Sequence, residues 1–474
     1  MRSYLKHYID GAWVESEGGT PHQVINPATE APVTEIMLGS QADVDKAVAA
    51  ARRAFESWSR TSAEERAALL DRIVEAYKTR AADMAEAMSL EMGAPLGLAK
   101  TAQVGSGIGH LLAAARALRE FQFEERIGNS LVVHEAIGVV AMITPWNWPL
   151  NQIVSKVASA LAAGCTMVLK PSEEAPGVAA IFAEVLDAAG VPAGVFNLVQ
   201  GDGPGVGAAL SKHPQVDMVS FTGSTRAGIQ VAKNAADTVK RVHQELGGKS
   251  PSVVLESADL AQAVKGTLFG VLLNSGQSCI APARLLVPRD RQEEAAAIAA
   301  EMMKATQCGA PSEEGRHIGP VVNKAQWDKI QGLIAKGLEE GARLETGGPG
   351  RPDGIDTGYF VKPTLFSNVR NDMTIAREEI FGPVVTIIPY DNEEDAVRIA
   401  NDTDYGLSAM VFGDAEGVKR VAPRLRAGMV YVNGGQPDPS LPFGGYKQSG
   451  NGREYGKFGL AEFLEVKAMV GAFA

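Results

Sequence analysis

The chain has 474 residues, a formal net charge of −11 and a hydrophobic content of 45%. The acidic balance argues against a nucleic-acid partner, because a phosphate-binding surface needs clustered Lys and Arg. The length predicts about three domains at roughly 150 residues each, and the hydrophobic content is sufficient to form their cores.

The N-terminal residues and the cysteines indicate the cellular compartment. Residues 1–8 contain no apolar run, so they do not form a secretory signal, and no segment approaches the ~18 uninterrupted apolar residues of a membrane span. The three cysteines, Cys165, Cys279 and Cys308, lie far apart and show neither a disulfide framework nor a zinc-ligand spacing. We therefore expect a cytoplasmic protein with no membrane partner and no bound metal.

The first half of the chain predicts helices followed by an alternation of strands and helices. Residues 43–58 and 62–90 are Ala-rich with charges at helical spacing, which predicts two amphipathic helices. Residues 139–143 form a short apolar run before Thr-Pro, which predicts a buried strand followed by a loop. A helix over 151–163, ended by Gly164, and a strand over 166–169 complete the pattern.

The same pattern continues at three further apolar segments, residues 196–199, 218–221 and 252–255. It predicts parallel α/β sheets with crossover helices, and ligand-binding loops at the carboxyl ends of the strands. Residues 118–136 show a different pattern, in which aromatic and apolar residues surround a Gly-Asn turn. This predicts a hairpin, and from its residues alone an ordinary surface hairpin is the simpler interpretation. Residues 346–358 are rich in Gly and Pro, which predicts a long surface loop.

Glycine-rich segments give only a weak indication of a nucleotide site. Residues 201–207 follow a predicted strand, but their spacing departs from the dinucleotide fingerprint and Pro204 removes a backbone donor. A stronger candidate is the segment 221–225, where a strand ends and a helix begins. Backbone N–H groups, the helix dipole and the Ser224 hydroxyl can bind a pyrophosphate there, although a simple N-cap explains Ser224 equally well.

Cys279 and Glu245 are the most informative pair in the chain. Cys279 ends the run Asn-Ser-Gly-Gln-Ser-Cys, and Glu245 begins the segment Glu-Leu-Gly-Gly-Lys. A thiol nucleophile and a carboxylate that can activate water are the groups needed to form and hydrolyse a thioester. Each has an ordinary alternative when taken alone, since a Cys is often a buried small hydrophobe and a Glu before Gly-Gly can simply end an element.

Seven motifs, in order, resemble those of the aldehyde dehydrogenase superfamily, and the resemblance runs from residue 8 to residue 467. The motifs begin at Thr144, Lys170, Phe221, Glu245, Gly276, Glu379 and Pro442. The resemblance implies an α/β fold with two parallel-sheet domains and a small β arm for oligomerisation. The implied division assigns residues 1–117 and 137–246 to an NAD-binding domain, 247–449 to a catalytic domain, and 118–136 with 450–474 to the arm. It also implies a homo-oligomer, either a dimer or a tetramer.

The same resemblance assigns the chemistry. It implies NAD-dependent oxidation of an aldehyde to a carboxylic acid, in which Cys279 attacks as a thiolate whose pKa the surroundings must lower. Asn147 and the Cys279 backbone N–H would bind the oxyanion, and Glu245 would activate the hydrolytic water. The Glu at 245 favours hydrolysis over acyl transfer to coenzyme A. A coenzyme A-acylating enzyme and a catalytically silent binding protein of the same fold are the alternatives.

The resemblance also assigns the cofactor and substrate residues. The expected NAD site consists of Ile143, Thr144, Pro145, Trp146, Lys170, Ser172, Glu173, Gly203, Gly207, Phe221, Thr222, Gly223, Ser224, Leu246, Gly247, Glu379 and Phe381. Glu173 would accept a bond from the ribose 2′-hydroxyl and repel a 2′-phosphate, which favours NAD over NADP. The expected substrate tunnel consists of Trp148, Gln152, Ser155, Ser278 and Ile280. Trp148 and Ser155 depart from the residues common in the family, which predicts a wider tunnel for a medium-chain or ring-bearing aldehyde.

Overall fold

Residues 1–473, which the computed structural model describes, form two large and two small β-sheets. The first large sheet has eight strands, of which the five central ones are parallel. Their spatial order is Gly450–Asn451, Arg241–Glu245, Met218–Thr222, Val139–Ile143, Thr166–Lys170, Phe196–Leu198, Lys6–Ile9 and Ala12–Glu15. The parallel arrangement predicted from the strand and helix alternation is therefore confirmed.

The second large sheet has seven strands and is parallel except at one edge. Its order is Arg343–Thr346, Thr364–Ser367, Val384–Tyr390, Arg284–Pro288, Pro251–Val254, Ser408–Phe412 and Met429–Val432. Both large sheets carry helices on their faces, and the inner strands are buried along their whole length. Full burial explains why these strands show continuous apolar runs instead of alternation.

The helices confirm the predictions over 43–58 and 151–163 and correct the prediction over 62–90. They span Gln41–Trp58, Ala63–Thr79, Ala81–Met92, Leu96–Leu98, Val104–Glu120, Pro149–Ala163, Pro176–Ala188, Ala208–Lys212, Thr225–Ala235, Leu260–Leu272, Gln292–Ala305, Lys324–Glu339, Thr374–Arg377, Glu393–Asn401, Ala415–Val421 and Gly456–Glu462. The single helix predicted over 62–90 is wrong, because Arg80 leaves the helical conformation at φ −110° and ψ 8°. None of the helices in residues 1–473 is long and apolar enough to cross a membrane.

The two small sheets are antiparallel or mixed. At the N-terminus, Arg2–Tyr4 and Thr20–Ile25 pair with either side of Pro32–Leu38. The predicted hairpin is confirmed, with strands Glu124–Ile127 and Ser130–Ala136. The start predicted at 118 lies within the preceding helix, which ends at Glu120. We call this hairpin, together with Leu464–Met469, the arm sheet.

In the arm sheet, the C-terminal strand Leu464–Met469 pairs with Ser130–Ala136 of the same chain. The C-terminal strand therefore completes a three-stranded sheet within one chain, and the role of this sheet in oligomerisation stays a prediction. The segment between 450 and 463 lies elsewhere, since Gly450–Asn451 pairs with Gln244 and Glu245 in the first large sheet. The division into domains stays a prediction.

Candidate active site

The site lies where the carboxyl ends of the parallel strands of the first sheet meet a loop of the second. Strand Val139–Ile143 leads into the loop that carries Asn147, and strand Arg241–Glu245 ends at Glu245. The next helix begins with Pro149 at its first turn and ends at Gly164, whose φ of 87° makes it a left-handed C-cap. The loop between strand and helix is thereby fixed at both ends.

Cys279 follows a turn of unusual backbone. Asn274, Ser275 and Gly276 all adopt left-handed φ values, of 54°, 57° and 78°. A Cβ at Gly276 would lie 2.0 Å from the carbonyl oxygen of Gly382, so only glycine fits there. Consecutive left-handed residues are strained and persist only where the surroundings hold them. The turn therefore gives the thiol a fixed position.

Asn147 is held by three hydrogen bonds, two of which join it to the segment that carries Cys279. The side-chain amides of Gln103 and Asn274 donate to the Asn147 carbonyl oxygen at 3.2 and 2.8 Å. The Asn147 side-chain amide donates to the Gln277 carbonyl oxygen at 3.0 Å. An amide nitrogen has two N–H groups, so one remains for a ligand beside Cys279.

Cys279 itself does not have the electrostatic environment that the sequence suggested. Removal from bulk water, together with the carboxylates of Glu379 and Glu245, raises the pKa of its thiol above the ordinary value. The expectation of a lowered pKa is therefore wrong for the ligand-free chain, because its charged neighbours are acidic. The protonated thiol is the resting form.

Glu245 is a buried carboxylate with an unused oxygen. Burial and the nearby Glu454 carboxylate raise its pKa well above the ordinary value, while Lys156 and Arg453 oppose the shift. Its Oε2 has no hydrogen-bond partner among residues 1–473. A Cβ at Gly444 would lie 2.7 Å from its Oε1, so the glycine provides the space that the carboxylate occupies.

A buried ion pair lies behind Glu245 and was missed in the sequence. The Lys156 ammonium bonds Glu454, and the two side chains are 0% and 4% exposed. Ser155 donates to the other Glu454 oxygen at 3.2 Å, so the serine predicted to line the tunnel is part of this polar cluster. The helix Pro149–Ala163 is otherwise buried and almost entirely apolar or small. A lone Lys in such a helix requires a partner, and this was the available signal.

Several of the expected cofactor residues lie at adjacent strand ends of the first large sheet, the edge where a cofactor cleft is expected. The N–H of Thr144 bonds the Lys170 carbonyl oxygen at 3.1 Å, which joins two strand ends. The hydroxyls of Thr144 and Thr222 are buried without a partner among the described residues, as expected of groups that bind a ligand. Ile143, Phe221 and Leu246 are buried beside them, Pro145 is partly buried, and Ser172 is buried in the loop after Lys170.

The adenosine side of the cleft contains a cation and two glycines. Lys170 donates to Glu173 at 3.1 Å and to the Gly201 carbonyl oxygen at 2.8 Å. A Cβ at Gly207 would lie 3.7 Å from Lys170 and 3.9 Å from Ile143. Gly203 is exposed and has no atom within 4 Å of its Cβ position. The surface here is open to a flat ligand.

In the expected pyrophosphate segment, two of the polar groups already form hydrogen bonds within the chain. Gly223 donates its N–H to the Glu245 carbonyl oxygen at 3.0 Å. Ser224 is the N-cap of helix Thr225–Ala235 and accepts from the Ala227 N–H at 3.3 Å, so the N-cap interpretation is correct. Its hydroxyl is exposed and can still donate to a phosphate oxygen.

Glu379 and Phe381 are two further residues of the expected cofactor site. Glu379 accepts from the Gly248 N–H at 2.8 Å, and a Cβ at Gly247 would lie 2.7 Å from its Oε2. Phe381 has a positive φ of 62°, and its ring meets Trp146 edge to face at 5.5 Å. Strain at a bulky residue indicates a functional constraint.

The substrate side is more aromatic than the sequence suggested. Trp148 donates to the Ser278 hydroxyl at 2.8 Å. Cys279 and Ile280 pack against a cluster that includes Phe443 and Tyr455, whose ring centroids lie 4.8 Å apart. The predicted Gln152 is buried with a free Oε1.

Two tyrosines on this side were not predicted. Tyr431 lies close enough for a Cys279 thiolate to raise its pKa further, beyond the effect of burial, to about 12. Tyr455 accepts from the Asn151 amide at 3.2 Å. These residues come from segments far apart in sequence, which is why no local motif identified them.

Comparisons with known proteins identify the family. A family profile described as "Aldehyde dehydrogenase family" matches residues 13–469. The 3-succinoylsemialdehyde-pyridine dehydrogenase of a Pseudomonas species is 54% identical over 473 residues, which are 99% of each chain.

Solved structures give the same result. A variant of aldehyde dehydrogenase C from Pseudomonas syringae, in complex with NAD+ and octanal, is 51% identical, with a TM-score of 0.98 over 99% of this chain and 97% of that one. An aldehyde dehydrogenase of Mycobacterium tuberculosis in complex with NAD+ is 41% identical, with a TM-score of 0.96 over 99% of this chain and 98% of that one.

Proposed function

This chain belongs to the aldehyde dehydrogenase family, and we propose that it oxidises an aldehyde to a carboxylic acid with NAD as hydride acceptor. It has that family's fold, which confirms the predicted fold class. The observation that carries the mechanism is the convergence of three groups. The Asn147 amide is bonded to the loop that carries the thiol and has a second N–H, and a buried carboxylate whose Oε2 has no partner among residues 1–473 lies near that thiol.

In the first step the Cys279 thiol loses its proton to solvent, and the thiolate sulfur attacks the aldehyde carbon. The oxygen becomes an oxyanion, which the Asn147 amide and the Cys279 backbone N–H stabilise by hydrogen bonds. Collapse of the oxyanion would expel a hydride from the former aldehyde carbon and leave a thioester on Cys279, and NAD+ held in the neighbouring cleft would supply the hydride acceptor. Relatives are described in complex with NAD+, and the unpartnered Thr144 and Thr222 hydroxyls support a ligand in the same cleft.

The second step is hydrolysis of the thioester. Glu245 takes a proton from water, whose oxygen attacks the acyl carbon, and the Cys279 thiolate leaves. The raised pKa of Glu245 suits a base that must accept a proton near neutral pH. The Lys156 and Glu454 pair supplies charges that balance the carboxylate as its protonation changes.

Two observations support a medium-chain or ring-bearing aldehyde. The rings of Phe443 and Tyr455 and the side chain of Ile280 provide an apolar wall beside Cys279. One relative is described as acting on a pyridine-bearing semialdehyde, and another is described in complex with octanal. NADH formation from octanal and from a pyridine-bearing aldehyde should exceed that from acetaldehyde at equal concentration.

The decisive test uses Glu245→Gln, with Cys279→Ala as its control. The amide cannot take a proton from water, so rapid mixing with NAD+ and octanal should give one burst of NADH per active site and little further turnover. An adduct of acyl mass should persist on the peptide that contains Cys279. Cys279→Ala should give neither burst nor adduct. Wild-type turnover by Glu245→Gln would refute the assignment.

The alternatives predict different results in the same assay. A coenzyme A-acylating enzyme would release an acyl-coenzyme A when coenzyme A is added, and Glu245 argues against this outcome. A silent binding protein would form no NADH with any aldehyde. Chemical alkylation of Cys279 in the folded protein distinguishes an accessible thiol from an inert one.

The arm sheet supports a homo-oligomer. Its apolar residues Ile127, Val466 and Met469, and the adjoining Val470 and Phe473, are exposed in the single chain. Scattered exposed hydrophobics are ordinary, but a group on one small sheet indicates an interface. Light scattering should give a mass of two or four chains, and deletion of residues 466–474 should lower it. Unchanged mass after deletion would exclude the arm from the interface.

The free state of all three cysteines fits the predicted cytoplasmic location.

A further inference from the structure

His243 has no role in the steps above, yet it lies against the proposed base. It precedes Glu245 by two residues on the strand Arg241–Glu245, so both side chains project from the same face of the sheet. The ring Nε2 lies 3.4 Å from Glu245 Oε1, and the side chains are 1% and 3% exposed. A Cβ at Gly452 would lie 2.4 Å from His243 Cδ2. The ring is therefore confined beside the carboxylate.

The charge state of His243 determines what it can donate. Burial, followed by the Lys156 and Arg453 charges, lowers its pKa to about 4 against the opposing effect of the Glu454 carboxylate. At neutral pH the ring therefore carries a single N–H. Nδ1 has no partner among residues 1–473. Since a buried N–H requires an acceptor, the tautomer with its hydrogen on Nε2, facing Glu245 Oε1, is the favoured one.

Glu245 has few other constraints. Among residues 1–473, His243 is its only hydrogen-bond partner through the side chain, and Oε2 has none. The charged groups around it are Lys156 on the helix Pro149–Ala163, Arg453 and Glu454 in the loop after Asn451, and Glu462 on the helix Gly456–Glu462. The Cys279 thiol lies near enough for the Glu245 charge to raise its pKa. These groups set the potential at the carboxylate but do not fix its orientation.

We propose that His243 is a positioning residue for Glu245, whose carboxylate it holds through Nε2–H while Oε2 stays free to accept a proton from water. The inference rests on the proposed role of Glu245. Loss of the N–H would release the carboxylate to rotate, and it would remove a bond that favours the ionised form. Thioester hydrolysis would then slow and require a higher pH. Attack by Cys279 and hydride transfer would not change, because neither step uses Glu245.

The test compares His243→Leu with His243→Gln. Leucine fills most of the space without a donor, whereas the glutamine amide can place an N–H near the position of Nε2. NADH release from octanal and NAD+ is followed by rapid mixing and in the steady state, between about pH 6 and pH 10. His243→Leu should keep the burst, lose about tenfold in steady-state rate at pH 7 and recover part of it as pH rises, which corresponds to a shift of about one pKa unit. His243→Gln should stay within about twofold of the parent protein.

Further variants separate a structural defect from the proposed role. His243→Asn keeps a polar residue too short to reach Oε1, so it should behave like His243→Leu even if the leucine variant does not fold. Combining either change with Glu245→Gln should slow turnover no further than Glu245→Gln alone, since residues that act as one unit are not additive. An unshifted pH profile in the folded Leu or Asn variant, or equal loss in the Gln variant, would overturn the proposal. Failure of the Glu245→Gln burst would instead overturn the proposed function.

Discussion

The loop that carries Cys279 and the strand that carries Glu245 serve one site but are held in different ways. The loop is fixed by its backbone, with three successive left-handed residues before Gln277 and an Asn274 side-chain bond to the Asn147 carbonyl oxygen. The strand is regular, and Glu245 at its end has one oxygen without a partner. The geometry of attack is therefore built into the backbone, whereas hydrolysis depends on side-chain contacts and charges.

Substitution of Asn147 tests the part of the site that the backbone of the Cys279 loop holds in place. Asn147→Ala removes one oxyanion donor and should slow the NADH burst by roughly 10²–10³-fold, the usual loss for one such donor. Asn147→Asp is the matched control, because it keeps the size but replaces the donor by an acceptor, and it should be at least as slow. Rapid mixing with octanal measures both. A burst within about threefold of the parent rate would show that the amide does not contact the oxyanion.

The raised pKa of Cys279 gives a pH dependence for the ligand-free protein. Only the thiolate reacts with iodoacetamide, and the thiolate fraction rises about tenfold per pH unit until pH reaches the pKa. Burial and the acidic neighbours raise that pKa, so the reaction should still be accelerating above about pH 8.5, where an ordinary thiol levels off. Mass spectrometry of the peptide containing Cys279 follows the modification. A plateau below about pH 8 would mean that the thiol is activated without any ligand.

Part of the fold was predictable because its signals are local. The strand Val139–Ile143 is an apolar run without interruption, and Gly164 ends the following helix by a conformation that glycine adopts easily. The break at Arg80 had no such signal, since neither Gly nor Pro occurs there. Arg80 leaves the helical conformation while its side chain bonds Asp83 and Glu184, and the second contact is with a residue distant in sequence.

The site residues also differ in whether a local sequence signal identifies them. Cys279, Glu245 and Asn147 belong to contiguous motifs, so the sequence identified them as candidates. The Lys156 and Glu454 pair joins residues 298 positions apart, and such pairing cannot be deduced from spacing. His243 was an overlooked case, because two-residue periodicity on a strand places it on the same face as Glu245. The pKa of Cys279 was misjudged because the acidic groups near it come from other segments.

Glu173 lies outside both the loop that carries Cys279 and the strand that carries Glu245. Its substitution should therefore change the preference between NAD and NADP without changing attack or hydrolysis. Its carboxylate accepts from Lys170 at 3.1 Å and is partly exposed at the end of the cleft. Glu173→Gln removes a negative charge that would repel a 2′-phosphate, and it should improve the efficiency with NADP relative to NAD by about tenfold, or roughly 1.4 kcal/mol. Burst and hydrolysis rates with saturating NAD should stay within about twofold. Steady-state kcat/KM with each cofactor measures the effect.

The neighbouring Glu174 provides the matched control for this last prediction. Its carboxylate accepts from the Asn323 amide at 2.7 Å, so it is engaged away from the bond between Lys170 and Glu173. Glu174→Gln removes the same charge one residue along the chain and should leave the ratio of the two efficiencies unchanged. Equal efficiency of the parent protein with NAD and NADP would contradict the role assigned to Glu173. An equal gain in both variants would mean that the general negative charge of this loop, and not a contact of Glu173 with the ribose, sets the preference.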